Sequence, residues 1–213
     1  MIRVKICGNT NLEDARIAVD AGASLLGFIF YPKSPRCISV GGAREVSRAL
    51  RGRAALVGVF VNAGEDEVRA TLRDAELDLA QLHGDEPVRA VAAFAGGAYK
   101  AMRRGDIDGE GADAYSAVGP TDAGLPQLLL DADHATLYGG TGQRADEGLA
   151  ARLARHCRLL LAGGLTPDNV AGAIAAVHPW GVDVASGVER EPGRKDADKV
   201  RAFVAAARLA AGR

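Results

Sequence analysis

Met1-Ile2-Arg3-Val4-Lys5-Ile6-Cys7-Gly8 opens the chain, and the pattern it sets recurs to the last turn. Ile2, Val4 and Ile6 alternate with Arg3, Lys5 and Cys7, the period-two signature of a short strand. Gly8 breaks that strand, and Asn9-Thr10-Asn11 offers capping residues for a helix to follow. The polar side chains share one face, and Cys7 is the last of them before the turn. A thiol in that place, taken alone, packs as a small apolar residue. Its meaning depends on the other strands.

Outward from this stretch, Leu12, Ala15, Ile17, Ala18 and Ala21 recur at helical spacing and Gly22 closes the segment. Leu25-Leu26-Gly27-Phe28-Ile29-Phe30 is a nearly continuous apolar run of strand length. The alternation then repeats. Helices are expected at 45–50, 65–75, 88–94 and 150–157, and strands at 54–61, 77–82, 98–102, 127–131, 159–162 and 182–185. Thr166 and Pro167 suit the N-cap and first position of another helix. Asp196 caps a closing helix whose Ala197, Val200, Phe203, Val204 and Ala207 form one stripe. The weakest unit lies between Arg103 and Gly124, where Gly and Asp are dense. Strands alternating with helices mean a parallel sheet with crossover helices. Eight units, strand first and helix last, favour a closed (β/α)8 TIM barrel, one domain over residues 1–213, above an open doubly wound sheet.

The totals exclude several classes. Hydrophobic residues at 48% and charged residues at 25% are ordinary for a soluble globular chain. A formal net charge of -1, without a polybasic block, gives no electrostatic case for nucleic acid or an anionic membrane. Aromatic residues at 5% make a base-stacking surface a poor reading. No apolar run approaches the ~18 residues of a membrane span, and the start of the chain lacks a signal-peptide layout. Cys7, Cys37 and Cys157 are an odd, widely spaced set. They argue against a disulfide framework or zinc site and for a reducing cytoplasm.

In a barrel the chemistry sits at the carboxyl ends of the strands. Lys5 and Cys7 share a face of the first strand, and Gln81 and His83 share one of the fourth. Lys100 stands out from the fifth, Asp131 ends the sixth, and Asp183 lies in the eighth. Each has a bland explanation: an Asp that braces a loop, a structural histidine, Lys100 and Asp183 pairing across the barrel. Together they would bring several ionisable groups to one cavity, which is costly to bury without purpose.

Two glycine-rich turns follow late strands, Ala162-Gly163-Gly164-Leu165-Thr166-Pro167 and Ser186-Gly187-Val188-Glu189. Glycine lets backbone approach a ligand, and N–H groups near a helix start attract anions. The loops after strands seven and eight commonly hold phosphate in barrels, so a phosphorylated small molecule is the expected substrate. Neither turn is a nucleoside-triphosphate or dinucleotide motif. Tyr138-Gly139-Gly140-Thr141-Gly142 reads either as a cover over the pocket or as a tight turn. In Tyr31-Pro32-Lys33-Ser34-Pro35-Arg36, Arg36 is either a carboxylate-binding fork or a solvated surface residue.

The chain resembles the phosphoribosylanthranilate isomerases, cofactor-free barrel enzymes of tryptophan biosynthesis, over nearly its whole length. The specific pieces are Lys5-Ile6-Cys7-Gly8, Lys33-Ser34-Pro35-Arg36, Gln81-Leu82-His83-Gly84-Asp85-Glu86, Leu129-Leu130-Asp131, Gly139-Gly140-Thr141-Gly142, Ala162-Gly163-Gly164-Leu165 and Ser186-Gly187-Val188-Glu189. The resemblance implies an Amadori rearrangement with Cys7 as general base and Asp131 as general acid. It implies that Arg36 holds the anthranilate carboxylate, that Gly163, Gly164, Ser186 and Gly187 bind phosphate, and that His83 and Gly140 also contact substrate. No cofactor or metal is implied. A monomer is expected, with a dimer as the alternative. The chain departs from the family at Ala145 and Glu147, where aromatics are usual, at Ala185, where a serine is common, and at Ser24, where an Asp is frequent.

The chemistry needs a perturbed pair. Ordinary values of about 8.5 for Cys and about 3.9 for Asp leave only ~3% thiolate and ~0.1% neutral acid at pH 7. The thiol needs a cation or oriented N–H groups nearby, for which Lys5, Lys100 and Arg36 are candidates. The nearest rival is the aminoimidazole carboxamide ribotide isomerase family, which tends to use two carboxylates and an internal half-barrel repeat. The first strand here carries Cys7 instead. A non-catalytic phosphosugar-binding barrel is a second rival. An open-sheet nucleotide module would need more than Gly8 after the first strand.

Overall fold

The computed structural model describes residues 1–103, 109–131 and 143–212. Eight parallel strands, β1 (Arg3–Ile6), β2 (Leu25–Ile29), β3 (Ala55–Phe60), β4 (Leu79–Leu82), β5 (Ala98–Arg103), β6 (Leu128–Asp131), β7 (Leu159–Ala162) and β8 (Gly181–Val184), pair in sequence order. β1 pairs with β8 as well as β2, so the barrel closes. Its helices are α1 (Leu12–Ala21), α2 (Val40–Leu50), α3 (Glu65–Asp74), α4 (Val88–Ala92), α5 (Gly109–Val118), α6 (Gln143–His156), α7 (Val170–Val177) and α8 (Ala197–Ala211).

Strand parity divides the core in two. Leu25, Val57, Leu79, Tyr99, Leu129 and Leu160 fill the barrel interior. The alternate residues, among them Val4, Ile6, Leu26, Phe28, Val182 and Val184, pack outward with helix residues such as Val46, Ile174, Phe203 and Val204. The period-two reading of the first stretch follows from this division: Lys5 lies beside Asp183 in the β1–β8 register, and both are buried. Asn11 and Asp196 cap α1 and α8 as expected, the Asp196 side chain accepting from the N–H groups of Asp198 and Lys199.

Four expectations are corrected. The helix expected at 45–50 begins earlier, at Val40, because Ser39 caps it through the Gly42 N–H. Thr166 and Pro167 do not open α7: a turn intervenes and α7 starts at Val170, after the Asn169 carboxamide accepts from the Thr166 N–H. Lys100 does not reach across the barrel. Tyr99 takes the inward position on β5, so Lys100 points outward and pairs with Glu86 at 2.7 Å. Finally, two short strands, β9 (Glu189–Glu191) and β10 (Arg194–Lys195), form a hairpin after β8. The weak unit after Arg103 contains α5. The expected loop at 138–142, with Gly140, lies outside the described residues, as do the side chains of Ala145, Asp146 and Glu147.

Candidate active site

The residue after β1 is Cys7, whose N–H donates to the Val184 carbonyl at 2.8 Å and so holds its backbone against β8. Its side chain turns into a cavity of about 270 Å3 at the carboxyl-terminal end of the barrel. His83, Asp131, Asp183, Gly164 and Ser186 line the same cavity. Gly27 on β2 makes room for the thiol, since a Cβ there would lie 2.7 Å from Cys7 Sγ and 3.1 Å from Lys5 Nζ.

Three cations stand near the thiol. Lys5 Nζ donates to Asp183 Oδ1 at 2.8 Å and is fully buried. Lys195, from β10, reaches under the ends of β1 and β8 and donates to the carbonyl oxygens of Cys7 at 2.6 Å and Ala185 at 3.2 Å. It also pairs with Glu189 at 2.9 Å. Arg36 faces that same carboxylate, donating from Nε at 2.9 Å and from Nη2 at 2.7 Å. Arg36 is therefore engaged with a carboxylate of the protein itself. It does not line the cavity; its aliphatic stem crosses Gly8, whose φ of +72° and close contact to Arg36 leave no room for a side chain.

Burial pushes the Cys7 thiol above its ordinary value; Lys5 opposes this, Asp183 adds to it and Lys195 opposes it again. For Lys5 burial alone would favour the neutral amine, but Asp183 outweighs it and the ammonium persists. Burial lowers Lys195 despite its hydrogen bond to Glu189. Of the cations expected beside the thiol, Lys5 is there and Lys100 is not. Lys195 went unanticipated, because nothing in the two residues of β10 marks it as buried.

Across the cavity, Gln81 joins two neighbours. Tyr99 Oη donates to Gln81 Oε1 at 2.8 Å, and Gln81 Nε2 lies 2.9 Å from His83 Nδ1. His83 Nε2 faces Asp131 Oδ2 at 3.5 Å. The far wall is formed by the two glycine turns. Gly163 and Gly164 take φ of +96° and +62°, and a Cβ on Gly187 would collide with the Leu165 carbonyl, so the turns pack on each other. Among the described residues the N–H groups of Gly163, Gly164, Ser186 and Gly187 take no protein acceptor. Such a row of unpaired donors suits an anion. Among the described residues no three of His, Cys, Asp and Glu gather to hold a metal, and no helix is long and apolar enough to cross a membrane.

A closed parallel barrel with its ionisable groups and glycine turns gathered at the carboxyl-terminal mouth defines the (β/α)8-barrel enzymes. Residues 4–206 match the family described as N-(5'-phosphoribosyl)anthranilate (PRA) isomerase. The N-(5'-phosphoribosyl)anthranilate isomerase of Citrifermentans bemidjiense is 46% identical over 208 residues, covering 98% of each chain. The crystal structure of phosphoribosyl anthranilate isomerase from Thermotoga maritima is 39% identical, with a TM-score of 0.82 over 98% of this chain and 100% of that one. A crystal structure of such an isomerase in complex with reduced 1-(o-carboxyphenylamino)-1-deoxyribulose 5-phosphate is 37% identical, with a TM-score of 0.81 over 98% and 100% of the two chains. The chain belongs to the N-(5'-phosphoribosyl)anthranilate isomerase family, enzymes of tryptophan biosynthesis.

Proposed function

We propose that residues 1–213 form one barrel domain that converts N-(5-phosphoribosyl)anthranilate to 1-(2-carboxyphenylamino)-1-deoxyribulose 5-phosphate, with Asp131 as general acid and Cys7 as general base. Asp131 protonates the furanose ring oxygen as the bond from that oxygen to C1 breaks, and the aryl nitrogen lone pair forms an iminium. The Cys7 thiolate takes the C2 proton, and the electrons of that bond neutralise the iminium. The resulting enaminol tautomerises to the ketone. One acid and one base suffice. The observation that supports this reading is that Cys7 and Asp131 line one cavity closed by the two glycine turns.

The remaining groups take supporting roles. The N–H groups of Gly163, Gly164, Ser186 and Gly187 hold the phosphate at one end. Arg36 holds the anthranilate carboxylate through Nη1, the edge not engaged by Glu189 among the described residues. His83 contacts the sugar side, and Gly140, which lies outside the described residues, also contacts substrate.

A fluorescence assay of the consumption of freshly generated substrate tests the proposal. Cys7→Ala and Asp131→Asn are each expected to lower kcat by roughly 10²-fold or more, the range for losing a general acid or base. Near-normal steady-state turnover in either variant removes its assigned role.

A further inference from the structure

The row Tyr99–Gln81–His83, buried at its first two members and partly exposed at His83, ends on the proposed acid, and its hydrogen bonds run in one direction. Tyr99 is fully buried, and Gln81 is the partner of its hydroxyl. A buried O–H left without an acceptor is strongly disfavoured, so Gln81 must turn Oε1 toward Tyr99. Burial also holds the Tyr99 hydroxyl in its protonated form, which keeps it a donor. With Oε1 engaged, the Gln81 amide presents Nε2 to His83 Nδ1 at 2.9 Å. An N–H donor facing Nδ1 requires a lone pair there, so the ring proton sits on Nε2. That edge faces Asp131 Oδ2 at 3.5 Å.

We propose that Tyr99 and Gln81 are positioning residues that hold His83 as the neutral, Nε2-protonated tautomer and thereby keep an imidazolium from forming beside Asp131. Protonating Nδ1 would set one N–H against another. An imidazolium at this distance would favour the Asp131 carboxylate and deplete the neutral carboxyl that ring opening needs. The other charged or titratable groups facing the pair are Cys7, Asp183 and Lys5 across the cavity, and Arg103, which the β5–β6 register sets beside Asp131. Glu86 and Lys100 pair with each other on the helix side of the strands. The catalytic part of this inference rests on the proposed role of Asp131; the tautomer does not.

The test is ¹⁵N NMR of the histidine rings in the unliganded protein, with His83 assigned among the four histidines by its loss in His83→Gln. The expected result is an unprotonated Nδ1 and a protonated Nε2 at neutral pH. Gln81→Glu places an acceptor at Nδ1 and is expected to give doubly protonated His83. It should also lower kcat by roughly tenfold or more, the scale on which a nearby cation shifts a carboxyl, and move the limb of the pH profile that reports the acid to lower pH. Tyr99→Phe frees the Gln81 amide to turn and is expected to mix the two His83 tautomers. Gln81→Met, which offers Nδ1 neither donor nor acceptor, separates lost packing from the added charge. An Nδ1-protonated ring in the parent, or identical His83 signals in parent, Gln81→Glu and Tyr99→Phe, overturns the tautomer assignment. A parental pH profile in a Gln81→Glu enzyme whose His83 is doubly protonated overturns its catalytic consequence. Full turnover in Asp131→Asn would instead remove the acid assignment and leave the NMR result standing.

Discussion

A methyl group added to Gly27 would occupy space that the thiol already uses. The Cβ of Gly27→Ala would lie 2.7 Å from Cys7 Sγ and 3.1 Å from both Cys7 Cα and Lys5 Nζ. Carbon makes comfortable contacts at about 3.5–4.0 Å, so the sulfur must retreat by about 1 Å. Its backbone has little freedom to follow, since the Cys7 N–H is held by Val184 O at 2.8 Å and Lys5 is held by Asp183 at 2.8 Å. Overpacking of this kind costs about 1–3 kcal/mol. For a chain of this size each kcal/mol moves Tm by about 2–4 °C, so the expected fall is about 2–12 °C. A 1 Å displacement of a reacting group is worth roughly 10²-fold in rate. Thermal melts and steady-state turnover on the same samples should therefore show a modest loss of stability beside a large loss of kcat. A folded Gly27→Ala enzyme that turns over at the parent rate would refute the claim that the sulfur acts from this position.

Other perturbations probe different parts of the same site. Arg36→Met is expected to raise KM with kcat little changed; an unchanged KM with a collapsed kcat assigns that side chain another task. Because burial pushes the Cys7 thiol up, thiolate accumulates only as pH rises, and kcat/KM should climb with pH from neutral into the alkaline range. A profile that is flat from neutral pH upward contradicts a thiolate base. Lys195→Met leaves the Cys7 and Ala185 carbonyls without their donor and the buried Glu189 without one of its cations. The expected loss is about 3–5 kcal/mol, or roughly 6–20 °C in Tm. Adding Glu189→Gln should restore part of it by removing the under-compensated charge, and a double variant melting no higher than the single one opposes that account.

The barrel was legible because parity and alternation are strong signals over strands of four to six residues backed by helices. The same parity brought Cys7, His83, Asp131 and Asp183 to one mouth. It failed at Lys100 because a charged residue was presumed to face inward, whereas Tyr99 filled that position and Glu86 met the lysine outside. The β9–β10 hairpin escaped notice because strands of three and two residues carry no periodicity. The burial and pairing of Lys195 and Glu189 are illegible for the same reason, since they come from contacts with residues far away in sequence rather than from any local pattern. The start of α7 moved for a local reason, the Asn169 side chain bonding the Thr166 N–H that a helix would otherwise leave bare.

Lys195 fastens the end of the first strand to the end of the last, and it comes from a segment that neither strand contains. Synthesis delivers the thiol with the first strand and its anchor only after all eight staves are made. A growing polypeptide halted just past Val184 would hold every barrel strand, yet the peptide oxygen of Cys7 would lack its ammonium partner. Completion of the working end is thus deferred to a late hairpin.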